Sequence, residues 1–242
     1  MTDSTQHTNP VAAARARSFG LAFLLAVCFG LALGGLQLWQ WMMDAQKTPI
    51  HQIQITGKTE YIDEALLSEV IRAQNKASFF ALNIDDVHQQ VVSQPWIYQA
   101  SVRKKWPNTL QVFVVEQDPV AHWNNDLLIN AQGQPFAGKV KLADLPELYG
   151  PNGAEKTALS GLNSMRLLLK SQDMDVKSLI LTERFAWQVT LDNGIQLNLG
   201  RQEFINRLQR FVNLYPLLER QGKPIKYVDL RYDTGAAVGW QV

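Results

Sequence analysis

From Ser18 to Met43 the chain runs for 26 positions without a charged residue, SFGLAFLLAVCFGLALGGLQLWQWMM. Coiled as an α-helix, this stretch reaches about 39 Å, more than the roughly 30 Å hydrocarbon core of a bilayer. A helix in a soluble core has no use for that length, so the segment predicts one transmembrane crossing. Arg15 and Arg17 stand just before it, while the first base beyond it, Lys47, follows Asp44. The positive-inside bias then places the N-terminus in the cytoplasm. Trp39 and Trp41 fall at the far end, where an aromatic belt belongs. A secretory signal peptide has a shorter apolar region and an A-x-A-like cleavage site, and neither is present. Cys28, inside the span, reads as a small apolar filler.

The expected organisation follows. Residues 1–18 form a short polar cytoplasmic tail without fixed structure, and residues 19–43 the anchor. Everything beyond about Asp44 lies across the membrane, in the periplasm if the cell is Gram-negative. With 242 residues, 46% of them apolar, there is material for one or two real cores. A net charge of +1 lacks the basic excess of a nucleic-acid binder. One cysteine permits no internal disulfide, and four scattered histidines have no ligand spacing, so neither a metal nor another cofactor is expected.

In the exported part, Ile53 and Ile55 alternate with polar residues in a strand from Ile50 that closes at Gly57. Ile62, Leu66, Leu67, Val70 and Ile71 then mark one face of a helix. A second helix buries Ile84, Val87, Val91 and Val92, is capped by Asn83 or Asp85, and stops at Pro95. Strands at Ile97–Arg103 and Leu110–Val115 flank a Trp106-Pro107-Asn108 turn. This strand–helix–helix–strand–strand order, over residues 50–118, predicts a three-stranded sheet with both helices on one face.

A second unit is expected over residues 119–242. It begins with a bent hairpin turning at Asn124-Asn125-Asp126 and a loop punctuated by Gly133, Pro135 and Gly138. LPELYGP, Leu145–Pro151, reads as irregular. A helix at about Ala154–Lys170 buries Leu159, Leu162, Met165 and Leu169. Strands follow near Lys177–Leu181, Ala186–Leu191 and Ile195–Leu199. A long helix carries Phe204, Leu208, Phe211, Val212 and Tyr215 inward, with Pro216 kinking it or beginning to end it.

Two hairpins are read by register. In WQVTLDNGIQLNL an Asn193-Gly194 two-residue turn would set apolar residues opposite polar ones. A three-residue loop, Asp192-Asn193-Gly194, instead pairs Leu191 with Ile195, Val189 with Leu197 and Trp187 with Leu199 on one apolar face. Gly194 supplies the left-handed residue such loops need. The same logic applied to DLRYDTGAAVGW makes Asp233-Thr234-Gly235 the loop between strands Ile225–Tyr232 and Ala236–Gln241. It pairs Tyr232 with Ala236, Leu230 with Val238 and Val228 with Trp240. Small Ala237 and Gly239 lie on the opposite face, where they would allow a partner strand to approach closely. No polar segment follows to cover the last strand, so its outer edge is either a docking site or covered by the protein's own chain, for instance near Pro135.

Catalytic patterns are weak. Ser101-Val102-Arg103-Lys104 fits S-x-x-K, but in a β-pattern and without K-T-G or S-D-N. Asp85-Asp86 suits a helix first turn better than paired catalysis. Glu183-Arg184 has no nucleophile near it. The chain reads as no enzyme.

The stretch QPWIYQASVRKKWPNTLQVFVVEQDPVAHW closes a unit that resembles a POTRA domain, the polypeptide-transport-associated module. Behind a single N-terminal anchor, and followed by LTERFAWQVTLDNGIQLNLGR, FVNLYPLL and YVDLRYDTGAAVGW, it resembles the FtsQ/DivIB family of bacterial cell-division proteins. That resemblance implies an α+β protein: one transmembrane helix, a β-α-α-β-β POTRA domain, then a mixed β-domain ending in a C-terminal β-hairpin. It implies a non-enzymatic, single-pass inner-membrane scaffold at the division septum, with its bulk periplasmic. Such a scaffold links early and late divisome proteins in support of septal peptidoglycan synthesis. The POTRA domain and anchor would meet other divisome proteins, and the β-domain would bind FtsB and FtsL, chiefly FtsB. The implied contact residues are Arg184, Tyr232, Thr234, Gly235, Ala236, Val238 and Trp240. The alternative classes are a POTRA-type transport or outer-membrane assembly factor and an anchored cell-wall enzyme.

Overall fold

One helix, α1 (Pro10–Met43), carries the apolar segment, and its part from Phe23 to Met43 is long and apolar enough to cross a bilayer. The computed structural model describes residues 10–138, 140 and 142–241, with side chains from Phe23 onward inside α1. The helix reaches back to Pro10, so the part of the expected unstructured tail from Pro10 on is helical instead; residues 1–9 lie outside the described residues. Trp39 and Trp41 are exposed along it. The chain divides into two units. One holds the residues up to Ser93 together with Gln99–Val114, and the other holds Gln94–Tyr98 together with the residues from Val115 on.

The first unit has the expected order: β1 (Gln52–Lys58), α2 (Glu64–Gln74), α3 (Ile84–Val92), β2 (Ile97–Lys105) and β3 (Thr109–Glu116), with β3 central in the sheet β1-β3-β2. Local chemistry starts both helices. The Asp63 carboxylate accepts the N–H groups of Ala65 and Leu66, and the Asn83 side chain accepts that of Asp85. Asp85 and Asp86 occupy the first turn of α3, where carboxylates complement the helix dipole. Leu67, Ile71, Val87 and Val91 are buried with Leu110, Val112 and Val114 of β3. Leu66, expected inward, is 59% exposed: the buried face of α2 runs through Leu67 and Ile71, and Leu66 lies about 100° round the helix from Leu67. Ser101 and Lys104 stand on β2, so S-x-x-K is not on a helix.

The second unit is built on one nine-stranded sheet, in the order β12-β11-β10-β9-β8-β7-β4-β5-β6. Its strands are β4 (Pro119–Trp123), β5 (Leu127–Asn130), β6 (Pro135–Phe136), β7 (Glu147–Tyr149), β8 (Val176–Leu181), β9 (Trp187–Leu191), β10 (Gln196–Gly200), β11 (Ile225–Asp229) and β12 (Ala237–Trp240). Helices α4 (Glu155–Leu169) and α5 (Phe204–Glu219) supply the apolar cover: Leu162, Met165, Leu208 and Phe211 are fully buried with Leu179, Leu191 and Leu197 of the sheet. Trp187 stacks on Phe204 at 4.5 Å, a pairing worth about 0.5–1.5 kcal/mol beyond burial.

Two short strands replace segments expected to be irregular. β7 runs parallel between β4 and β8, inside LPELYGP. Asn124 holds its end: the side chain accepts from Gly150 N–H at 3.0 Å and donates to Gly150 O at 2.9 Å. β6 pairs with β5 across a turn organised by buried Asn130, whose side chain accepts the N–H groups of Gln132 and Gln134 and donates to Gln117. Helix α5 also runs on past Pro216 to Glu219. Proline forfeits one backbone bond there, but Tyr215 and Leu218 still pack against the core and hold the last turn.

Candidate partner-binding site at the sheet edge

β12 is the terminal strand of the nine-stranded sheet. It pairs with β11, antiparallel, with Tyr227 opposite Gly239, Val228 opposite Val238 and Asp229 opposite Ala237. β11 in turn lies parallel to β10. Among the described residues nothing pairs with the other side of β12. The Pro135 segment forms the opposite edge of the sheet and does not cover it.

The backbone alternation identifies the free groups. Gln241 N–H donates to Pro224 O at 2.9 Å, toward the β11 side. In an antiparallel ladder a residue's N–H and C=O point to the same neighbour and alternate along the strand. Ala237 and Gly239 therefore face β11 with Gln241, and Val238 and Trp240 present their N–H and C=O groups outward.

The closing hairpin departs from the expected register. Val238 stands opposite Val228, two residues from the expected Leu230, and strand structure lapses between Asp229 and Ala237. Leu230 N–H goes instead to Asn198 O of β10. The connection Leu230–Ala236 is thus an extended loop in place of a three-residue turn. It is held by α5, from which Arg210 Nη1 donates to Tyr232 O at 2.8 Å and Gly235 O at 3.0 Å. The neighbouring hairpin keeps its expected loop: Leu191 N–H bonds Ile195 O, Gly194 N–H bonds Leu191 O, and Gly194 has φ +86°. A bulge at its far end sets Trp187 opposite Gly200 in place of Leu199.

The residues expected to bind a partner separate into three places. Ala236, Val238 and Trp240 pack against the core and leave only part of each side chain exposed. Tyr232 (57% exposed), Thr234 and Gly235 lie on the loop. Arg184 lies in the tight β8–β9 turn, where Phe185 takes φ +58° and half exposes its ring. Of the two small residues of β12, Ala237 is exposed, but Gly239 is not free for the close approach expected, because Tyr227 covers it: a Cβ there would stand 2.6 Å from Tyr227 Cδ1.

Arg184 lines a shallow basin of about 600 Å³ with Arg201, Arg207 and Arg231. Gly200 forms part of its wall, and a Cβ there would stand 2.7 Å from Arg207 Nη1 and 3.2 Å from Arg231 Cγ. Arg207 is fixed by donating to Leu199 O at 2.7 Å. Arg231 forks onto Asp229, with Nε to Oδ1 at 3.0 Å and Nη2 to Oδ2 at 2.6 Å. That guanidinium holds the Asp229 carboxyl below its ordinary range, against the opposing effect of burial. Asp229 is the partner of Ala237, so the basin adjoins the start of β12. Four arginines and one acid, Glu183, line the basin, a balance of charge that suits it to a further carboxylate. Arg231, Arg201, Arg207 and Arg210 were not singled out from sequence. Their only signal is arginine density spread over three separate segments.

A helix long and apolar enough to cross a bilayer, a β-α-α-β-β unit and a second unit whose sheet edge is unpaired among the described residues together have the layout of a membrane-anchored protein with a strand open to a partner. Residues 48–117 match the family model "POTRA domain, FtsQ-type", and residues 121–231 match "Cell division protein FtsQ/DivIB, C-terminal". The chain is 41% identical over 223 residues to a cell division protein FtsQ of Shewanella oneidensis, covering 91% of this chain and 85% of that one. It is 38% identical over 233 residues to the FtsQ of Escherichia coli (93% and 84%), and 35% identical over 226 residues to that of Vibrio cholerae (91% and 86%). The chain belongs to the FtsQ/DivIB family of cell division proteins, as its POTRA unit and mixed α+β second unit indicated.

Proposed function

We propose that this protein is a non-enzymatic divisome scaffold of the inner membrane. Residues 1–18 face the cytoplasm, residues 19–43 cross the bilayer, and residues 50–118 and 119–242 work in the periplasm at the septum. The β-domain binds FtsB, within an FtsB–FtsL pair, by taking an FtsB strand onto the outer edge of β12. Support comes foremost from β12 itself, a sheet edge whose Val238 and Trp240 backbone groups have no partner among the described residues. Main-chain hydrogen bonds would supply affinity, as in other strand additions. Arg184 and Arg231 would pair with a carboxylate of the added segment and set its register. Tyr232, Thr234 and Gly235 would flank the strand's entry. The POTRA unit would contact other divisome proteins, and the whole would couple early assembly to septal peptidoglycan synthesis.

Photocrosslinking scanned along residues 228–241 in dividing cells tests this reading. Crosslinks to FtsB should concentrate on β12 and the Tyr232–Ala236 loop. Crosslinks absent there, or directed to a different protein, would reject it.

A further inference from the structure

The end of the anchor is welded to the POTRA unit. Met42 O accepts from Ser78 Oγ at 2.8 Å and from Thr48 Oγ1 at 3.0 Å, and Thr48 O accepts from Phe79 N–H at 2.8 Å. Ser78 and Phe79 are buried at this junction. The uncharged stretch ends at Met43, with Trp39 and Trp41 in its last turns and Asp44 and Lys47 just beyond, so Met42 and Met43 stand at headgroup depth where α1 leaves the bilayer. Whatever the weld holds beside Met42 is held there too.

It holds an aromatic corner. Phe79, Phe80 and Trp106 meet edge to face, with Trp106 5.9 Å from Phe79 and 5.3 Å from Phe80, yet Trp106 remains 69% exposed. Lys104 Nζ donates to Phe80 O at 2.8 Å and sits 5.6 Å from the Phe79 ring centroid. Lys105 beside it is exposed. Across the same junction, Ala45, Pro49, Arg72 and Lys76 line a small cleft of about 210 Å³. The three segments that meet here, residues 42–49, 72–81 and 103–108, carry six bases (Lys47, Arg72, Lys76, Arg103, Lys104, Lys105) and one acid, Asp44, which Lys47 neutralises.

We propose that this corner is a lipid-docking surface: Trp106 seats in the interfacial layer of the bilayer that α1 spans, and the surrounding lysines and arginines bind anionic phospholipid headgroups. An exposed tryptophan next to Lys104 and Lys105 is poorly placed in bulk water and well placed at an interface. The occupant is fixed by continuity, because the membrane begins where the weld does, and by charge, because a six-to-one basic excess suits an anionic surface. The POTRA unit would then stand on the membrane at three supports, α1, the aromatic corner and the basic rim, in place of swinging on a single tether. This is independent of FtsB binding and rests on α1 crossing the bilayer.

The test uses the full chain in lipid nanodiscs, with Cys28→Ser and a nitroxide at Ala81→Cys beside Phe80 or at Ser93→Cys at the far end of α3. In discs containing phosphatidylglycerol, the label at 81 should gain access to oxygen relative to a water-soluble nickel chelate, by about threefold over discs of phosphatidylcholine alone, while the label at 93 stays aqueous. Lys76→Glu with Lys105→Glu, both exposed, should abolish most of that gain; Trp106→Ser should do the same without changing the helix content. A chain that enters the discs but keeps an aqueous label at 81 in both lipids overturns the inference alone. An equal gain in both lipids, or one untouched by the charge reversals, overturns the headgroup assignment. A chain that fails to enter the discs overturns the anchor and the docking surface together.

Discussion

The ring of Tyr227 lies across Gly239, its cross-strand partner, and fills the space in which a Cβ would stand. The last strand is thus fastened from its inner side by its own neighbour, and only its outer backbone remains open. Gly239→Ala should force the ring, 40% exposed, out toward solvent and cost about 1 kcal/mol, at the low end of overpacking penalties. Removing the ring at the same time should relieve the clash. In urea melts, Tyr227→Ala with Gly239→Ala should therefore cost less than the two single changes summed. Additive losses would mean that the two residues do not meet.

Arg210 ties the β11–β12 connection to α5 through the carbonyls of Tyr232 and Gly235. Arg210→Ala should loosen that loop while leaving the fold intact, since each hydrogen bond to a charged group contributes about 1.5–3 kcal/mol at most and these are at the surface. The measurable effects are faster amide exchange at residues 231–236 and a weaker grip on FtsB, with Arg210→Lys recovering part of each. Unchanged exchange would show that the loop is held by something else.

Asp229 carries a pH signature. Its carboxyl is held below its ordinary range by the Arg231 fork, so the folded state favours the ionised form. A group with a depressed folded pKa contributes stability that is fully present above its unfolded value of about 3.9 and is lost as pH falls through the lower folded value. The stability gap between the wild-type chain and Asp229→Asn should therefore be constant above about pH 5 and shrink on acidification below about pH 4. A gap that widens on acidification would contradict the ion pair.

Much of this architecture is legible in the residues, and the failures share one cause. Leu191, Ile195 and Gly194 decide their hairpin locally, because a slip by one residue would expose an apolar face. The closing hairpin has no such protection. Moving Val238 from Leu230 to Val228 is a slip of two, which keeps every side chain on its face, so alternation cannot tell the registers apart. What decides between them is distant in sequence: Asn198, which takes the Leu230 N–H, and Arg210, which takes two loop carbonyls. The same holds for β6 and β7. Strands of two and three residues show no period, and they exist because Asn130 and Asn124 bond to backbone elsewhere. The arginine basin is assembled from three segments that only the fold brings together, so Arg184 alone was visible as a candidate. Gly239 misled in the other direction, its small size serving Tyr227 and not a partner.

If a partner strand bonds to the outer backbone of β12, a Val238→Pro substitution should break that bonding. Proline at this position removes an outward N–H and leaves the ladder to β11 in place, a position where edge strands tolerate proline. Affinity of the Val238→Pro chain for the periplasmic part of FtsB, measured alongside thermal unfolding, should fall by at least about tenfold, the equivalent of about 1.4 kcal/mol, while the melting temperature moves by only a few degrees. An affinity equal to that of the unsubstituted chain would contradict strand addition at this edge.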